Sequence, residues 1–128
     1  MKAERMPKSQ QNVFGEPIEL CCNDPVTGFY RDGHCNTGPN DLGTHTVCAL
    51  MTSTFLEYSA LAGNDLSTPR PEHGFPGLVE GNRWCFCALR WEQAQRTGKA
   101  PKLYLRATNM LTLRSIPPDV FKPYPLDL

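Results

Sequence analysis

With 128 residues, and thirteen basic side chains matched by thirteen acidic ones, the chain has the length of one domain and can bury a core without obligatory staples. The even charge excludes the basic footprint that nucleic acid or an anionic membrane surface demands, and no apolar run approaches the ~18 residues of a membrane span. Twelve prolines and ten glycines assign a large share of the chain to ordered turns and loops.

The opening stretch MKAERMPKSQQ is charged and lacks an apolar h-region, so it reads as a disordered tail over residues 1–12 and not as a secretory signal. One α+β domain is expected over 13–128. A cytoplasmic location follows, in which thiols stay reduced. On that reading the six cysteines (Cys21, Cys22, Cys35, Cys48, Cys85 and Cys87) are small buried hydrophobes before they are a disulfide framework.

Val13–Ile18 reads as an edge strand, because Pro17 cannot donate to a ladder. Residues 23–43 are dense in turn signals, Asp24-Pro25, Thr27-Gly28, Asp32-Gly33 and Gly38-Pro39 among them. A loop this long inside a compact domain points to function, and Phe29-Tyr30 suggests that it is packed down. Asp24, Asp32 and Asp41 read as Asx-turn residues.

Thr44–Met51 predicts a strand from its β-branched residues, with His45, Val47, Ala49 and Met51 on one face and Thr46, Cys48 and Leu50 on the other. A helix follows, capped by Thr52 and stopped by Gly63-Asn64. In the loop over 64–82, Pro69, Pro71 and Pro76 stiffen the backbone and lower the entropy cost of holding side chains in place. Arg83–Leu89 is apolar on both faces, which predicts a central, doubly covered strand. A short helix is expected over Arg90–Thr97, then strands over Lys102–Ala107 and Met110–Ile116, then a helical turn opened by Pro117-Pro118. The fold class is therefore α+β: a small mixed or antiparallel sheet, two or three short helices and two long ordered loops.

Two blocks carry a resemblance. DPVTGFYRDGHCNTGPNDLGTHTVCALMT and GNDLSTPRPEHGFPGLVEGNRWCFCALRW resemble the domain of unknown function 2237 family, small and mostly bacterial proteins. The resemblance spans residues 13–124. Its motif positions are Asp24, Pro25, Thr27 and Gly28; Cys35, Thr37, Gly38 and Pro39; His45, Cys48 and Ala49; residues 63–69 and 75–78; and Trp84, Cys85, Cys87, Arg90 and Trp91, with Cys21 also matching. Cys22, His34 and His73 depart from the pattern. The resemblance brings no activity with it.

Three kinds of site compete. A polar pocket would draw on Asn64, Asp65, Ser67, Thr68, Arg70 and Arg83 around the stiff loop, with an arginine clamping a carboxylate or phosphate. Against it, Asn64, Asp65, Ser67 and Thr68 commonly bond their own backbone. A catalytic thiol would be Cys35, in a Gly-rich loop, with His45 as base. A zinc site would take its ligands from Cys35, His45, Cys48, Cys85 and Cys87. That set lacks a C-x-x-C knuckle, and Cys85 and Cys87 stand about 6.6 Å apart along one strand. The leading expectation is a module that binds a small polar or anionic molecule between loops 32–45 and 64–83. No cofactor is expected, and zinc ranks below the pocket. Neither nucleic acid nor membrane is an expected partner.

Overall fold

The computed structural model describes residues 10–128. At its centre is a two-stranded antiparallel ribbon, β1 (His45–Leu50) against β2 (Arg83–Cys87). The strands are joined by a helix and a long loop, not by a hairpin turn. Val47 faces Phe86, Cys48 faces Cys85 and Ala49 faces Trp84, with a register shift between His45 and Val47.

The period-two alternation of the sequence divides the interior in two. Val47, Ala49, Trp84 and Phe86 belong to the larger core with Phe55, Leu56, Trp91, Leu103, Ile116 and Phe121. Cys48 and Cys85 belong to a smaller one with Ile18, Cys21, Cys35 and Ala107. Phe55 meets Phe86 edge to face, with ring centroids 5.0 Å apart, the arrangement that the aromatic quadrupole favours.

Helix α1 (Ser53–Leu61) starts where its cap predicts, Thr52 Oγ1 accepting the Phe55 N–H at 3.1 Å. Helix α2 (Ala88–Arg96) follows β2 without a linker, two residues before the expected start. Trp91 is fully buried and donates its indole N–H to the Pro101 carbonyl at 2.9 Å, so its one polar atom is satisfied. A short α3 (Pro118–Phe121) begins on proline as expected.

Several expectations are corrected. Residues 1–9 of the expected tail lie outside the described residues, but 10–12 are bonded into the fold. The Gln10 side chain donates to the Thr37 carbonyl and accepts the Thr37 N–H, and fully buried Asn12 donates to the Arg106 carbonyl. Val13–Ile18 is not a strand, because Asn12 Oδ1 accepts the Phe14 and Glu16 N–H groups and closes a turn there. Lys102–Ala107 keeps two isolated bridges at Leu103, to Ala49 and to Pro125, and then becomes a 3-10 turn over Leu105–Ala107. Its Leu105 and Arg106 N–H groups donate to the Asp127 carboxylate instead of a ladder. Met110–Arg114 is also a 3-10 helix, because Asn109 Oδ1 accepts the Leu111 N–H and caps it. Helical spacing then buries Thr112 and Ile116, and Leu113 points partly outward.

β2 is covered on both faces but paired along one edge only, so it is not central. The expectation of reduced thiols is overturned as well. Cys21 is bonded to Cys48 and Cys35 to Cys85, leaving Cys22 and Cys87 free. The sequence reading set disulfides aside because no extracellular context was visible. Proximity decides otherwise: β1 and β2 place Cys48 and Cys85 side by side, and two loops bring a cysteine to each. No helix among the described residues is long and apolar enough to cross a membrane.

Candidate functional site

The long loops meet, and between them lies an open groove of about 640 Å³. Phe29, Leu66, Phe75 and Trp84 form its apolar surface, Cys85 lies at its base, and Arg31, His45, Arg70 and His73 supply its polar groups. Among the described residues, none that lines it is acidic. An apolar surface with a few convergent polar groups is how small-molecule sites are built.

His45 is the best-positioned of these groups. It opens β1, and Asp41 lies four residues earlier in the preceding turn. The Asp41 side chain is completely buried, whereas that of His45 is 39% exposed. Asp41 Oδ1 lies 2.6 Å from His45 Nδ1, and Oδ2 accepts both the His45 backbone N–H and the Thr37 hydroxyl at 2.9 Å. An ionised carboxylate can only accept, so against one Nδ1 is the donor, and in the neutral tautomer that this selects Nε2 is the acceptor. Phe29 stacks on the imidazole at 6.5 Å with planes 15° apart, which fixes its orientation further.

Arg31 is held with comparable definition. Its backbone has φ +54°, and its guanidinium donates to the Gly28 carbonyl at 2.7 Å. The same group lies 5.2 Å from the Trp84 ring centroid, within cation–π range. Arg70 and Phe75 exchange backbone hydrogen bonds, N–H to O at 2.7 and 3.0 Å, and so close a small loop that carries His73. Phe75 packs edge to face on Trp84 at 5.4 Å. The proline-stiffened loop is thereby fastened to β2.

Of the residues singled out from sequence, His45, Arg70 and Cys85 reach the groove. Asp65 does not: its carboxylate accepts the Ser67 and Thr68 N–H groups and the Thr68 hydroxyl. Those bonds hold the Asp65 carboxyl below its ordinary range, the Thr68 hydroxyl contributing most. Asn64 completes the end of α1, its carbonyl accepting the Ser59 hydroxyl at 2.6 Å. Asp65 and Ser67 line a separate concavity beside α1, with Ser53, Leu56 and Leu78. Arg83 is also outside the groove, with its guanidinium 4.0 Å from the Tyr104 ring centroid.

Cys35 has no exposed surface and its sulfur is bonded to Cys85, so it offers no thiolate in this disulfide form. The expected metal set divides. The sulfurs of Cys21, Cys35 and Cys85 lie within 4.8 Å of one another, and Cys48 is bonded to Cys21. His45 and Cys87 stand outside that group.

Asp41, Arg31, His73, Phe29 and Trp84 were not assigned to a site from sequence. Asp41 looked like a turn residue. The signal that could have found it is the Asp-x-x-x-His spacing at the entrance to a strand. Arg31 and Trp84 are far apart in the chain and carry no shared pattern.

No curated protein matches the chain closely enough to stand as a relative. Residues 11–125 match the family described as "Uncharacterized protein conserved in bacteria". That span takes in both motif blocks, which fold against each other around the groove, and the chain belongs to the DUF2237 family.

Proposed function

We propose that the groove binds a small anionic molecule. One observation carries this reading: Arg31, Arg70, His45 and His73 line a single concavity in which none of the described lining residues is acidic. Arginine is suited to carboxylate or phosphate through paired N–H donors. Here Arg31 is held in place by the Gly28 carbonyl and Trp84 before any ligand arrives, which lowers the ordering cost of binding. The aromatic side chains Phe29, Phe75 and Trp84 would cover the apolar part of the ligand.

A second reading makes the same groove catalytic. Buried Asp41 engages Nδ1 of the part-exposed His45, the contact that orients a histidine general base. The thiol version with Cys35 as nucleophile loses support, since Cys35 is enclosed and Cys85 is the cysteine that lines the groove.

Thermal-shift and calorimetric titration of the full chain against phosphate, phosphate monoesters and small mono- and dicarboxylates tests the binding reading. At least one class is expected to stabilise the protein, and Arg70→Ala is expected to abolish the shift without lowering the unliganded melting temperature. If no anion binds, or if binding persists unchanged in an Arg31→Ala, Arg70→Ala double variant, the reading fails.

A further inference from the structure

We propose that Cys21, Cys35, Cys48 and Cys85 form a tetrathiolate site for a soft divalent cation, with Zn²⁺ as its natural occupant, once their two disulfides are reduced. The two disulfides are not independent staples. They touch, with the sulfurs of Cys21, Cys35 and Cys85 all within 4.8 Å of one another and Cys48 bonded to Cys21. All four residues are at least 98% buried. Four thiols converging in one buried place are what a closed structural zinc site uses.

The backbone already provides the spacing. Cys48 and Cys85 are direct partners across the ribbon and project to the same face. Their N–H groups donate outward, to Thr108 and Thr27 hydroxyls. Loop residues Cys21 and Cys35 close over them, with Cα–Cα separations of 5.8 Å to Cys48 and 5.2 Å to Cys85. Zinc–sulfur bonds of about 2.3 Å in a tetrahedron place sulfurs about 3.8 Å apart. Bonded pairs would open, and contacts between the pairs would draw in, by side-chain rotation of cysteines already in position. Ile18, Ala107 and Tyr104 pack around the cluster. His45 is not needed as a ligand, because its Nδ1 is engaged by Asp41.

The conversion balances. Each disulfide accepts two electrons and two protons from a dithiol, which leaves as its own disulfide. The four resulting thiols then release four protons on binding one Zn²⁺, giving a Zn(S-Cys)₄ centre of net charge −2. Thiolate ligands favour zinc over magnesium or calcium. Exchange with two equivalents of a small-molecule disulfide, each reduced to its thiols, returns the sulfurs to two protein disulfides and releases Zn²⁺, so the cluster is either cross-linked or metal-bound.

The test uses the full chain, reduced with excess dithiothreitol and desalted without oxygen, then titrated with Zn²⁺ or Co²⁺. The expected result is one metal per chain, thiolate-to-cobalt charge-transfer bands with tetrahedral d–d absorption, and alkylation mapped by mass spectrometry to Cys22 and Cys87 alone. The zinc-free reduced chain is expected to alkylate at all six cysteines. A Cys22→Ser, Cys87→Ser double variant should bind zinc as the parent does, and Cys21→Ser should not. Because Cys21→Ser can fail to fold, the wild-type alkylation map decides. If zinc leaves the four buried cysteines fully reactive, or protects Cys22 and Cys87 in their place, the proposal is overturned. The oxidised protein serves as the comparison and should take up no metal.

Discussion

Thr27 and Cys85 are fifty-eight residues apart in sequence and share one hydrogen bond, the Cys85 N–H donating to Thr27 Oγ1 at 2.8 Å, with both residues buried. That N–H points to the open edge of β2, where no further strand lies among the described residues. The Thr27 hydroxyl takes the place of a ladder partner, and the turn that follows it carries Gly28, Phe29 and Arg31 into the groove. The free edge of the ribbon is thus closed by the same segment that builds one wall of the site.

Replacing Thr27 with valine keeps the shape and removes the acceptor. A buried N–H left without a partner costs about 1–3 kcal/mol. Thr27→Val is expected to lose that much in urea denaturation under oxidising conditions, and Thr27→Ser, which retains the hydroxyl, to lose less. Equal losses in the two variants would mean that packing of the methyl group, and not the hydrogen bond, matters at this position.

Gly28 sets a stricter limit. Its φ is +101°, and a Cβ there would run into the His34 carbonyl oxygen. Neither strain nor clash can be relieved by a side-chain rotation, since the obstacle is backbone. Gly28→Ala is expected to cost more than about 1 kcal/mol, the ordinary scale of glycine-to-alanine effects at sites an alanine can adopt. Comparison of melting curves with the parent checks it.

The disulfides close loops of sequence separation 27 and 50. Restriction of the unfolded chain predicts about 3.5 and 4 kcal/mol for them. Reduction in the presence of a chelator is therefore expected to remove much of the stability of a domain of this size. Denaturant midpoints with and without dithiol measure it. Under the proposed zinc site, zinc added without chelator should restore part of the loss.

Asp41 accepts three hydrogen bonds through one buried carboxylate. Asp41→Asn retains one acceptor oxygen and faces it with several donors. Loss of a hydrogen bond to a charged group costs about 1.5–3 kcal/mol, and the His45 ring should no longer hold its proton at Nδ1. Nitrogen-15 shifts of the imidazole in parent and variant report the tautomer directly. An unchanged Nδ1–H form in the variant would show that Asp41 does not set it.

Asp65 provides a pH signature outside the groove. Its carboxyl is held low by the Thr68 hydroxyl first and the Ser67 N–H second, with a further contribution from the Arg70 charge. A depressed folded pKa means that the group's stabilising contribution is present above the ordinary aspartate range. It is lost as the pH falls through the lower folded value. The carboxyl carbon shift followed by NMR should show a midpoint below that of an unstructured aspartate, and Thr68→Ala should move it upward.

Much of the framework is legible in the sequence, because its signals are local. Thr52 caps α1, Pro117-Pro118 opens α3, and the apolar alternation of 44–51 and 83–87 marks the ribbon. Lys102–Ala107 and Met110–Ile116 were read as strands because short runs rich in leucine fit either period. The side chains of Asn109 and Asp127 decide for 3-10 turns by bonding N–H groups that a strand would have left for a neighbour.

The sequence by itself determined the α+β class, the ribbon, the helix caps and the two loops as the place to look. It also named His45 and Arg70, residue types that recognise anions wherever they sit. Only the tertiary structure decided that Asp41 belongs to His45, that Arg31 lies over Trp84, and that Cys21 and Cys35 close over Cys48 and Cys85. All but the first depend on which segments meet in space, whereas Asp41 and His45 stand four residues apart in one segment. Local spacing reports the period of a strand or the cap of a helix, but a contact between distant loops leaves no trace in either segment alone.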